Sequence, residues 1–239
     1  MRSREDIARF VAQRCVFAFD FDGTLSPIVT DPGQAGLPRS TMLLLRRVAT
    51  IGPCVAVSGR SRDDLARRLA GAGIRLFIGN HGAESETPSP PVLLAVQRWK
   101  RILENSLPVM PGLWIEDKSL SLTVHFRMCR RKEEARLAIS RAAELMPDAR
   151  MIEGKQCVSI VSPGAADKGQ ALCSAMKRLR VKRALYVGDD VTDEDVFKRA
   201  GEGQDLFTVR VGRKTGSAAS YFLRRQSEID ELLRAIIDC

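Results

Sequence analysis

Two aspartates, Asp20 and Asp22, stand two positions apart at the end of the apolar run "FAF", and Gly23 and Thr24 follow at once. In an extended segment alternate side chains point the same way, so both carboxylates can face one reacting group. One can attack phosphorus as a nucleophile and become an aspartyl-phosphate, while the other gives a proton to the departing alkoxide and later takes one from water. A poor leaving group such as a sugar hydroxyl needs that second acid. Carboxylates beside a phosphate dianion repel it unless cations intervene. The string "GDDVTDED" offers the means, since Asp189, Asp190 and Asp193, counted with Asp20 and Asp22, predict a Mg²⁺ site of hard oxygen donors. Lys168 would offset charge on the transferred group. Thr24 and the "SGR" string, Ser58, Gly59 and Arg60, are the expected phosphate binders. Each feature has a structural alternative when taken alone. Asp-Gly after a strand makes a turn, an acidic string can cap a helix and complement its dipole, Ser58 can be a turn residue and Lys168 a solvated helix charge. Their shared placement at strand ends and helix starts favours chemistry.

The elements that must position them follow from period and punctuation. A strand at 16–19 leads to helical spacing over 40–49, the strand string "CVAVSG", the helix string "SRDDLARRLAG" and the strand string "IRLFIGN". That βαβαβ order predicts a parallel sheet covered by helices on both faces. The rhythm changes near residue 84, where the Pro/Ser-rich "ETPSPP" precedes a helix over 92–107. Strand strings "LWIED", "SLTVHFR", "ARMIEG" and "QCVSIVS" then surround a helix over 132–146, which reads as an α+β insert. From Asp167 the first rhythm returns, with a helix over 168–179, strand "RALYVG", a helix from Asp193, strand "LFTVRV" and a last helix ending near Ile237. The predicted fold is α/β: a Rossmann-like parallel-sheet core over 1–83 and 161–239, with a smaller α+β domain inserted over 84–160. Ligands of such sheets collect beyond the carboxyl ends of the strands, where all four polar groups lie.

Composition narrows the class further. A chain of 239 residues with 44% hydrophobic content can bury a full core and one smaller domain. Its formal charge of +9 is dispersed in short groups, and aromatics at 5% are too sparse for a base-stacking platform, so nucleic acid is not an expected partner. The apolar runs are strand-sized, and the charged first residues lack a segment of signal-peptide length, so no membrane partner and a cytoplasmic location are expected. Six scattered cysteines form no zinc pattern. The sequence does not set an oligomeric state.

"DFDGT", "SGR", Lys168 and "GDD", in that order, resemble the motifs of haloacid-dehalogenase-type phosphatases. More narrowly, "FDFDGTLSPIV", "SGRSRDDL", "GNHGAE", "GDDVTDEDVF" and the tail "TGSAASYFL" with "EIDELL" resemble the trehalose-6-phosphate phosphatase family over nearly the whole chain. The resemblance implies a Mg²⁺-dependent hydrolase of a sugar phosphate, with Asp20 as nucleophile, Asp22 as general acid and base, and the insert as a cap closing over the sugar. It also implies sugar contacts from Glu116, Lys118, His125 and Arg127 in "IEDKSLSLTVHFR", and from Asn80 and His81 in the "GNHG" turn. The chain departs from the family where "SIVSPGAADKG" sets Ser159 and Val161 at positions that are usually acidic and basic, and where Asn80 replaces a serine. Trehalose 6-phosphate is the expected substrate; the alternatives are a different phosphorylated sugar or pseudo-sugar, a phosphomutase reaction, and a non-catalytic sugar-phosphate sensor.

Overall fold

The computed structural model describes residues 2–85, 90–154, 156–203 and 205–239. Two compact units emerge: Met1–Ser85 together with Ala166–Cys239, and Glu86–Ala165. Most of the "ETPSPP" stretch, residues 86–89, lies outside the described residues. In chain order the larger unit begins with α1 (Arg2–Val11), β1 (Val16–Phe19), α2 (Arg39–Ile51), β2 (Cys54–Val57), α3 (Arg62–Arg68) and β3 (Ile74–Ile78). The smaller unit holds α4 (Pro90–Ser106), β4 (Trp114–Asp117), β5 (Ser121–His125), α5 (Lys132–Glu144), β6 (Arg150–Gly154) and β7 (Cys157–Val161). The larger unit resumes with α6 (Lys168–Leu179), β8 (Arg183–Gly188), α7 (Glu194–Gly201), β9 (Asp205–Val211), β10 (Tyr221–Leu223) and α8 (Ile229–Ile237).

The larger unit is built on a six-stranded parallel sheet in the order β10-β9-β8-β1-β2-β3. Strands β1 and β2 are apolar and buried at every position because both faces are covered. Phe17, Phe19, Cys54, Ala56, Leu185 and Val187 pack on one side with Leu45 and Val48 of α2 and Leu233 and Ile236 of α8. Val16, Ala18, Val55, Val57 and Ala184 face the other side, against Leu172 and Met176 of α6 and Val196 and Phe197 of α7. Each such large side chain contributes on the order of 1.5–3 kcal/mol of burial. From β1 the chain steps outward through β2 and β3 on one side and, after the smaller unit, through β8, β9 and β10 on the other. The carboxyl ends of β1 and β8 therefore flank the point where strand order reverses, the place where open α/β sheets leave a crevice.

The smaller unit is an antiparallel sheet in the order β4-β5-β7-β6. Leu122, Val124 and Ile160 pack with Trp99 and Leu103 of α4 and Ile139 and Ala142 of α5. Strand alternation then turns Ser121, Thr123 and Ser159 to the opposite face. The sequence boundary after 160 cuts a strand: β7 runs through Val161, which pairs with Ser121, and the smaller unit extends to Ala165. Two elements were not anticipated, α1 and the three-residue β10. Among the described residues no helix is long and apolar enough to cross a membrane.

Candidate active site

Asp20 follows β1 directly, and its backbone N–H donates to the Val187 carbonyl at 2.9 Å, fixing it beside the end of β8. Lys168 is the first residue of α6, whose start is set by a capping box between Asp167 and Gln170. That cap aims the lysine inward. Its Nζ lies 2.8 Å from Asp20 Oδ1 and 2.7 Å from Asp193 Oδ1, with only 2% of the side chain exposed. Asp193 is fully buried. Its Oδ1 also accepts from Tyr186 Oη at 2.6 Å, and its Oδ2 accepts from the backbone N–H groups of Asp189 and Asp190, both at 2.8 Å. Gly188 makes room for this carboxylate, since a Cβ there would stand 2.3 Å from Asp193 Cγ.

Charge balance explains the titration of the cluster. Burial alone would raise the Asp193 carboxyl, but Lys168, Tyr186 and the amides outweigh it and hold the group below its usual value. Asp20 moves the other way: burial pushes it well above the ordinary carboxylate range and Asp193 and Asp189 add repulsion, with Lys168 opposing. Lys168 itself is raised, because Asp193 and Asp20 overcome the burial that would lower it.

Asp20, Asp189 and Asp193 are buried with one carboxylate oxygen each within 4.8 Å of the others. The Lys168 ammonium is shared between two of these carboxylates, Asp20 and Asp193. An all-oxygen donor set of this kind suits Mg²⁺. Gly23, at φ +84°, lets the chain pass where a Cβ would fall 2.2 Å from Asp189 Oδ2. Beside it the buried Thr24 Oγ1 has no hydrogen-bond partner among the described residues, which leaves a hydroxyl available to a ligand oxygen. The residues present therefore fit a Mg²⁺ ion. The carboxylates of Asp22 and Asp190, expected among the ligands, lie outside this three-residue group.

Asp22 is held instead by Arg60. The guanidinium Nε and Nη2 donate to its two carboxylate oxygens, each at 2.7 Å, while Nη1 reaches Asp64 at 2.8 Å and Nη2 the Pro32 carbonyl at 2.9 Å. Arg60 was expected to bind phosphate; here its fork is turned to Asp22 and Asp64. Ser58 is buried, and its Oγ accepts from the Arg60 N–H at 3.3 Å. The "SGR" and "NHG" turns clasp each other, with Asn80 N–H donating to the Arg60 carbonyl at 2.8 Å and His81 N–H to the Ser58 carbonyl at 3.0 Å. The His81 ring lies on Gly59, where a Cβ would come within 2.4 Å of Cε1. Asn80 and His81 both take left-handed backbone conformations, with φ of 50° and 57°.

In the smaller unit, His125 Nε2 donates to Glu116 Oε2 at 2.8 Å, and Lys118 Nζ lies 3.4 Å from the same oxygen. Burial would raise Glu116, but the His125 hydrogen bond and the Lys118 charge prevail and hold it below its usual value. Trp114 stacks on His125 with centroids 4.1 Å apart. Cross-strand register sets Glu116, Thr123 and Ser159 in one row, and the hydroxyls of Thr123 and Ser159 meet at 3.0 Å. Arg127 is half-buried in the turn after β5. The sequence reading missed Tyr186, Glu194 and Arg210 as contributors to the larger unit's site. The signal available was a tyrosine and an arginine inside otherwise apolar strand strings.

A buried carboxylate at the switch point, a second acid two residues on, a buried lysine and an acidic turn after β8 make up the arrangement that the sequence motifs lead one to expect of a phosphatase. Residues 18–227 match the family model for trehalose-phosphatase. Trehalose-phosphate phosphatase B of Arabidopsis thaliana is 29% identical over 253 residues, covering 95% of this chain and 67% of the relative. The trehalose-phosphate phosphatase of Mycobacterium ulcerans is 30% identical over 207 residues, 80% of this chain, and the match spans 53% of that relative's length. Among solved structures, the C-terminal domain of C. albicans trehalose-6-phosphate phosphatase superposes with a TM-score of 0.80 at 20% identity, over 98% of this chain and 96% of that one. A phosphatase of the haloalkanoate (HAD) enzyme superfamily from Bacteroides thetaiotaomicron gives 0.66 at 14% identity, over 94% of each chain. The chain belongs to the trehalose-phosphatase family.

Proposed function

We propose that this phosphatase hydrolyses trehalose 6-phosphate to trehalose and phosphate, with Mg²⁺ and through an aspartyl-phosphate on Asp20. The observation that carries the reading is the buried Lys168 ammonium bridging Asp20 and Asp193 beside Asp189 at the strand-order switch. The larger unit would serve as the hydrolytic core and the smaller as the sugar-recognising cap. In the first step Asp20 forms a bond to phosphorus as the bond from phosphorus to the sugar oxygen breaks, and Asp22 protonates the leaving oxygen. In the second, Asp22 takes a proton from water, water attacks phosphorus, and the aspartate–phosphorus bond breaks to release phosphate. Asp22 must leave the Arg60 fork to do this. Asp20 and Asp189 would hold Mg²⁺, with Asp193 anchoring Lys168 and the Asp189–Asp190 turn. When bound, the ion screens phosphate charge from the carboxylates. Thr24 and Ser58 would hydrogen-bond phosphate oxygens, Glu116 would accept from sugar hydroxyls and Lys118 would donate. The six free thiols, three of them buried, suit the reducing cytoplasm that the sequence suggests.

A second reading, hydrolysis of a different sugar phosphate, is favoured by Ser159. Its short hydroxyl is already engaged by Thr123, where the resemblance leads one to expect a carboxylate for the sugar. A non-catalytic sensor has no use for a nucleophile held against a lysine. Phosphate release from trehalose 6-phosphate, glucose 6-phosphate and sucrose 6-phosphate, with Mg²⁺ and with Asp20→Asn as blank, tests these readings. A lead of about a hundredfold for trehalose 6-phosphate, a difference of roughly 2.7 kcal/mol in transition-state binding, supports the first. A flat panel or a different leader moves the assignment to the second. Turnover by Asp20→Asn within about tenfold of the parent removes Asp20 from the nucleophile role.

A further inference from the structure

Arg210 is a charged residue inside the apolar strand string "LFTVRV", and it is 6% exposed. A buried guanidinium demands partners, and the register supplies them: Arg210 lies beside Gly188, the last residue of β8 and the one before the acidic turn. Its Nη2 donates to the Asp189 carbonyl at 2.6 Å and its Nη1 to the Asp190 carbonyl at 3.1 Å. Nη1 also reaches Glu194 Oε1 at 2.8 Å, and Glu194 Oε2 accepts the Ala218 N–H at 2.9 Å. The N–H groups of the same two residues are taken by Asp193 Oδ2. Every backbone polar group of Asp189 and Asp190 is thus fixed by a charged side chain, the N–H groups by Asp193 and the carbonyls by Arg210.

We propose that Arg210 and Glu194 are positioning residues for the divalent-cation site: they hold the Asp189–Asp190 turn so that the Asp189 carboxylate meets Asp20, and they tie it to the "TGSAAS" segment through Ala218. This rests on the Mg²⁺ reading above. A lysine cannot replace Arg210, because a single ammonium cannot span two carbonyls and a carboxylate with the fixed fork of a guanidinium. Outer partners that orient metal ligands typically change metal affinity by about tenfold to a hundredfold when removed.

The test is Mn²⁺ binding to the full chain, followed by electron paramagnetic resonance, for the parent, Arg210→Lys and Glu194→Gln, with thermal melts confirming that each variant is folded. The expected result is a Mn²⁺ dissociation constant raised about tenfold or more in both variants. In parallel, the Mg²⁺ concentration for half-maximal phosphate release should rise similarly, while KM at saturating metal stays within about twofold. Where Arg210→Lys fails to fold, Glu194→Gln decides. Folded variants that bind Mn²⁺ as the parent does would overturn the inference while leaving the metal reading intact. Failure of the parent itself to bind Mn²⁺ overturns the metal reading and the inference with it.

Discussion

Replacing Lys168 by methionine removes the ammonium that bridges Asp20 and Asp193, while keeping most of the side-chain volume. At 2.8 and 2.7 Å, each ammonium–carboxylate attraction is worth about 6 kcal/mol at an effective dielectric near 20, most of it offset by desolvation. Removing one partner of such a buried group leaves uncompensated charge and typically costs about 3–5 kcal/mol. For a folding unit of this size, at roughly 2–4 °C per kcal/mol, the melting temperature should fall by about 6–20 °C in chelator. The assay is a thermal melt of parent, Lys168→Met, Asp193→Asn and the double variant, in EDTA and in Mg²⁺. The double variant should recover part of the loss, because one of the orphaned carboxylates has become neutral. A Lys168→Met protein that melts within about 2 °C of the parent would refute the reasoning, since it would mean that the ammonium contributes no net stability.

Metal addition should itself stabilise the parent, by about 2.7 kcal/mol or roughly 5–11 °C at a hundredfold excess over the dissociation constant; an unchanged melt in Mg²⁺ and Mn²⁺ argues against the acidic cluster as the site. Arg60→Lys, which cannot keep the two-pronged hold on Asp22, should lower kcat by about tenfold to a hundredfold with KM little changed if the arginine positions the acid. A rise confined to KM would restore Arg60 to direct phosphate binding. Glu116 has its folded value lowered from an ordinary 4.5, so its contribution to stability is fully present above that value and is lost as pH falls through the lower folded one. Melts of Glu116→Gln against the parent should therefore differ most near neutral pH and converge in acid; a gap that widens on acidification would reverse the assigned sign.

The larger unit was legible because β1 and β2 are buried on both faces and read as unbroken apolar strings, while Asp20, Ser58 and Asp189 follow strands and Lys168 opens a helix. The short β10 carries no period to read, since a three-residue strand shows barely one alternation. α1 was hidden by its charge, although Ile7, Phe10 and Val11 give it an apolar stripe. Pairings between distant residues were the harder part. That Arg60 grips Asp22, and that Arg210 reaches back to the turn after β8, depends on which strands become neighbours and in what register, and no local pattern encodes that. The extent of the smaller unit is a related case: the strand string "QCVSIVS" runs past residue 160 through Val161, which pairs with Ser121, and the unit continues to Ala165.

The inserted smaller unit has a consequence for the order of synthesis. β1 pairs with β2 on one side, but its other edge waits for β8, with Val16 opposite Ala184. Chains are made at about 5–20 residues per second, so that edge stays unpaired for roughly 10 to 30 seconds on the ribosome. Unpaired strand edges are templates for wrong association. The smaller unit, continuous in the chain and with its own core around Trp99, Leu122 and Ile139, can close within that interval. In pulse-labelled hydrogen exchange during refolding, its amides should gain protection before those of β1.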